Sequence, residues 1–177
     1  SLDTVPPAIN QDEAVRAYDA WCLRETGKDH YGASWPVFPR GFGKVDYPPG
    51  HYVYLLIPFQ AVLGVDPWST RLPAALFGVA GIVFAFLLVR RIYSHRAGVL
   101  AALLVAVSPW PLHLSRLAFE LSLCGPMLTA GLYLLARGAG SAKQDDPAAP
   151  VSGRCVVTLL LAGISLGLVL WTYNALR

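Results

Sequence analysis

Two adjacent carboxylates, Asp12 and Glu13, are the first residues whose types could do chemistry. Such a pair can supply a general base together with an electrostatic or metal partner. Acids in the first turn of a helix also simply complement its dipole, and local spacing leaves both readings open. A second cluster, HLSRLAFE at 113–120, sets Arg116 and Glu120 four residues apart. A helix starting at Ser115 would put them on one face, where they can pair. Glu120 stands one turn inside an apolar run, and an ionisable residue there is functional by default. Arg116 reads as a snorkelling anchor or a ligand contact. Arg71, at the start of another apolar run, reads as an anchor that could hold a phosphate. His30 and His51 are isolated, lack metal-ligand spacing and read as interface residues. Trp35, Phe38 and Phe42 are of the type that stacks on sugars or sits at an interface. Cys22, Cys124 and Cys155 form no framework and read as small apolar fillers.

These residues need elements to hold them. Asn10 can cap a helix whose third residue is Glu13, the capping-box spacing. Ala14, Ala17, Tyr18 and Trp21 then recur with helical period, and Gly27 supplies a stop. The spacing predicts a short amphipathic helix over about 11–26, suited to a membrane surface. Residues 28–50, rich in Gly, Pro and aromatics, read as an ordered loop. Residues 51–65 are uncharged but short and contain Pro58, which predicts an interfacial helix rather than a span.

Beyond Arg71 the character of the chain changes. The whole sequence is 55% hydrophobic and 14% charged, with mean hydropathy +0.48, against about 25% charged in soluble domains. Residues 1–71 hold eight of the 11 acids, and residues 72–177 hold the other three. Uncharged runs cover 72–89, 97–115 and 155–176, and 117–136 is broken only by Glu120. About 20 apolar residues cross a bilayer as a helix, and these runs show no polar face. The expected fold is an all-α polytopic membrane protein with four transmembrane helices, at about 72–90, 97–114, 117–136 and 155–175. It follows an extracytoplasmic loop, 1–71, carrying two interfacial amphipathic helices.

The loops at 90–96 and 137–154 carry most of the short-loop bases and are therefore expected inside. Residues 1–71, the turn at Arg116 and the C-terminal end then share the outer side. The net charge of +3 arises from the inner loops and implies no nucleic-acid partner. The chain opens on Ser1 without a signal peptide, and it is expected to be a fragment lacking a preceding span.

Six segments carry a family resemblance when taken in order. They are NQDEA at 10–14, TGKDHYG at 26–32, YPPG at 47–50 running into YVYL at 52–55, RLPA at 71–74 followed by LFG at 76–78, SPWPLHLSRLAFE at 108–120, and LWTY at 170–173. Together they resemble bacterial membrane glycosyltransferases of the protein O-mannosyltransferase-like family, in the GT-C superfamily. The resemblance implies transfer of a sugar from a polyprenyl-phosphate-linked donor to a protein, lipid or glycan acceptor, at the outer face of the bacterial cytoplasmic membrane. Asp12 with Glu13 is then the expected base or acceptor-binding group, and Glu120 the second carboxylate. Arg116, Arg71, Tyr47 and His51 are the candidate substrate contacts. Tyr47 stands where related members often have Lys, so a donor-phosphate contact by Lys is absent, or is supplied by another base such as Lys44. A divalent metal ion is left open. A non-enzymatic lipid or glycan carrier, or an assembly subunit, is the alternative.

Overall fold

The computed structural model describes residues 2, 6–41, 47–118, 120–142 and 152–172. Lys44 and Phe42 lie outside the described residues. Among those residues the chain is helical, with one isolated bridge between Lys28 and Ser34. The elements are α1 (Gln11–Thr26), α2 (His51–Leu63), α3 (Pro67–Ile92), α4 (His95–Val107), α5 (Pro109–Leu114), α6 (Leu121–Ala142) and α7 (Gly153–Thr172).

Local chemistry sets the boundaries. The Asn10 side chain accepts from the Glu13 amide at 2.8 Å while the Glu13 carboxylate accepts from the Asn10 amide at 3.1 Å, closing the capping box of α1. Gly27 ends that helix at φ +68°, where a side chain would be strained. Asp66 and Ser69 form the same box at the start of α3. Ser108, extended at ψ 128° before Pro109, separates α4 from α5.

α3 (26 residues) and α7 (20 residues) contain 18-residue stretches of mean hydropathy 2.5 and 2.2, and each helix is long and apolar enough to cross a membrane. α6 has 22 residues. The run expected as a single second span is broken, and α4 alone, at 13 residues, is about 20 Å long. The third expected span was to begin near 117, but its helix starts at Leu121. Arg116 and Glu120 therefore share no helical face, and their expected pairing does not form. The physical reason lies in α1. Glu13 draws the Ala118 amide to its carboxylate, and Arg16 takes the carboxylate of Glu120, so this segment bonds across to another helix instead of to itself.

The long helices pack through small residues. A Cβ on Gly131 would come within 2.8 Å of Leu166, and one on Gly138 within 2.6 Å of Leu159, so α6 and α7 touch backbone to side chain. Gly81 likewise seats Pro126 between α3 and α6. α1, α2 and the start of α3 share a core of Ala20, Leu23, Tyr52, Val53, Leu56 and Ala74. Gln60 Nε2 donates to the Ala17 carbonyl at 3.0 Å, and Arg24 donates to the Gln60 carbonyl at 2.9 Å, fixing α2 along α1.

Candidate functional site

Glu13 is fully buried and fully bonded. Arg71 Nε and Nη2 donate to its two oxygens at 2.9 Å each, and the Ala118 and Asn10 amides add a third and fourth bond. Burial pushes the carboxyl up, but the bonds from Arg71, Ala118 and Asn10 outweigh it and hold the group below the ordinary carboxylate value. The remaining N–H groups of Arg71 donate to the carbonyls of Leu2, Pro6 and Ala8 at 2.8–2.9 Å. All five of its donors have protein acceptors, leaving none for a phosphate. Glu13 and Arg71 tie α1, α3 and the segment before α6 together.

Asp12, next in sequence to Glu13, faces another way, and its side chain is 68% exposed. One turn further along α1, Arg16 is buried. Its Nε and Nη2 donate to both oxygens of Glu120 at 2.7 and 2.9 Å, a two-point grip. Its Nη1 donates to the Asp12 carbonyl at 2.9 Å and lies 3.8 Å from the Asp12 carboxylate. One guanidinium thus touches both acids, so their nearest oxygens are at most about 9 Å apart, no farther than the carboxylate pairs that act across one sugar. Sequence reasoning passed over Arg16. The available signal was its position four residues after Asp12 on a predicted helix. The longer-range partner, 104 residues away, carries no such signal.

The other expected residues fall around this centre. His51, first residue of α2, lies against the ring of Trp171 at the end of α7, with centroids 5.7 Å apart. The contacts of Ala118 with Glu13 and of Trp171 with His51 and Phe38 gather the N-terminal helices, the turn at 115–118 and the end of α7 at one end of the bundle. Arg116 pairs with no carboxylate among the described residues and lines a 230 Å³ apolar cleft with Gly78, Val79, Val105, Leu112 and Ser115. A second cleft of 340 Å³, lined in part by Trp110, Ser122 and Thr129, also borders α5. Tyr47 is 50% exposed and joins none of these contacts. His30 bonds through its ring and its amide to the buried Asp19, bracing the loop after α1. Among the described residues no three His, Cys, Asp or Glu side chains gather as a metal-ligand set.

Residues 46–172 match the family model of the dolichyl-phosphate-mannose-protein mannosyltransferases. The chain belongs to this family. The mannosyltransferase-family match takes in α2 to α7, including Arg71, Arg116 and Glu120, and leaves α1 to be judged from its contacts. YycA of Bacillus subtilis (strain 168), by name a mannosyltransferase, is 28% identical over 109 residues, which is 61% of this chain and 16% of that protein. The crystal structure of ArnT from Cupriavidus metallidurans in its apo state superposes over 93% of this chain and 28% of its own length, with a TM-score of 0.69 at 19% identity. This member of the mannosyltransferase family therefore shares the fold of the matched part of ArnT, and it spans less than a third of either protein.

Proposed function

We propose that this chain carries the outer-face catalytic end of a glycosyltransferase that moves a sugar from a polyprenyl-phosphate-linked donor to a hydroxyl acceptor. The observation that supports it is the Arg16 guanidinium touching both Asp12 and Glu120. Asp12 is the exposed member and takes the proton of the acceptor hydroxyl as that oxygen attacks the anomeric carbon. The bond from the anomeric carbon to the donor phosphate breaks, and the polyprenyl phosphate leaves with the electron pair. Glu120 fixes Arg16 and offsets its charge beside Asp12, so the base is held in place without being bound to a bare cation.

Arg116 and Arg40 are outer arginines without a carboxylate ion pair among the described residues. Arg40 lies over the Tyr31 ring at 4.6 Å, whereas Arg116 borders the apolar cleft and suits the departing phosphate better than Arg71, whose donors are all engaged. The apolar cleft beside it suits an isoprenoid tail. In this reading α1 and α2 lie along the outer face of the bacterial cytoplasmic membrane, and Arg90, Arg91, Arg96, Arg137 and Arg154 face the cytoplasm. The acceptor is a protein, lipid or glycan hydroxyl.

The test is Asp12→Asn in the full-length protein, assayed for sugar transfer at matched expression. Transfer should fall at least about a hundredfold, the low end of what a positioned general base supplies. Near-normal turnover would overturn the base assignment and favour a carrier or assembly role.

A further inference from the structure

Among the described residues His51 is an anomaly. Both of its ring nitrogens are sealed from solvent, and neither has a hydrogen-bond partner. Buried polar atoms nearly always have one, and His51 carries two without one on a single ring. Burial lowers the His51 pKa, Glu120 raises it and Arg16 lowers it, with a net shift downward that keeps the imidazole neutral at pH 7. It therefore offers one N–H donor and one lone-pair acceptor.

That combination suits a hydroxyl better than a phosphate. A phosphate oxygen accepts from the N–H but has no proton to give the other nitrogen. A hydroxyl both donates and accepts, and two neighbouring hydroxyls of a sugar satisfy both nitrogens. The surroundings fit the same ligand. The Trp171 ring lies 5.7 Å from the imidazole at 42°, and Phe38 meets Trp171 edge-on at 5.9 Å. Such an aromatic corner packs against the C–H face of a pyranose. Glu120 and Arg16 act on His51 electrostatically, so the imidazole belongs to the same end of the bundle as the two acids.

We propose that His51 is a specificity-determining residue that reads hydroxyls of the transferred sugar, with Trp171 as the packing ring that shifts to admit it. This rests on the glycosyltransferase reading above and adds the part of the donor that His51 contacts.

The test measures binding, without turnover, in the full-length protein in nanodiscs. The probes are polyprenyl-phosphate mannose, its four monodeoxy analogues and polyprenyl phosphate alone. His51→Phe should weaken the mannose donor about tenfold, the worth of one to two neutral hydrogen bonds. The same substitution should cost less against each of the two analogues that lack one contacted hydroxyl than against the mannose donor, and nothing against polyprenyl phosphate. His51→Gln, which keeps a donor and an acceptor, should retain most of the affinity. Donor binding should also change tryptophan fluorescence in the parent protein and not in Trp171→Phe. Equal losses across all probes, or a loss against polyprenyl phosphate itself, would overturn the proposal. Because no turnover is needed, an active Asp12→Asn variant would refute the base assignment and leave this result readable.

Discussion

Arg16 holds Glu120 through two hydrogen bonds of 2.7 and 2.9 Å, joining α1 to the turn before α6 across 104 residues of sequence. The side chains are 7% and 12% exposed, so each charge is largely removed from water and depends on the other. That dependence fixes where α1 sits over the long helices, and with it where Asp12 points.

Arg16→Lys keeps the charge but loses the fork that matches a carboxylate. It should reduce transfer more than it reduces folding, and the paired readout is turnover per folded molecule beside the thermal midpoint. Arg16→Ala leaves Glu120 buried and unpaired, a loss of about 3 kcal/mol or more. The double variant with Glu120→Gln should recover part of that stability without recovering transfer.

Glu13 and Arg71 should behave in the opposite way. Glu13→Gln removes a charge that Arg71 needs and should cost about 3–5 kcal/mol of stability, while the surviving folded molecules keep their transfer rate. The acid dependence has a definite sign. The folded-state value of Glu13 lies below its ordinary 4.5, so its contribution is present above about pH 4.5 and is lost as pH falls through the lowered value. The thermal midpoint of the parent protein should drop more steeply than that of Glu13→Gln over that acid range.

The interface between α6 and α7 gives a test of packing. Leu166 leaves only 2.8 Å to where a first side-chain carbon on Gly131 would stand, so Gly131→Leu overfills the contact and should cost about 1–3 kcal/mol. Gly163→Leu, on the same helix pair but with nothing within 4 Å, should be neutral or slightly stabilising because glycine is a poor helix former. Thermal unfolding in detergent compares the two, and equal losses would contradict this packing.

Much of this was legible from local pattern. Asn10 and Glu13 announced the start of α1 because a capping box needs only residues three apart, and Gly27 marked its end through its own backbone freedom. The uncharged runs located the long helices because lipid-compatible composition is a property of the segment itself. The run 97–115 misled, since composition does not register that Ser108 and Pro109 break a helix within it. Likewise Arg116 and Glu120 had the spacing of a helical pair, but Arg16 on α1 takes Glu120 instead.

By itself the sequence determined the all-helical class, the helix starts and the presence of acids near one end, because each depends on neighbours a few residues away. Only the tertiary structure decided what each acid does. Asp12 and Glu13 are adjacent and chemically alike, yet a helix turns about 100° per residue, so one is exposed and the other is sealed against Arg71 and Ala118. Burial and partners are set by elements 58 to 105 residues away, and no local spacing encodes them.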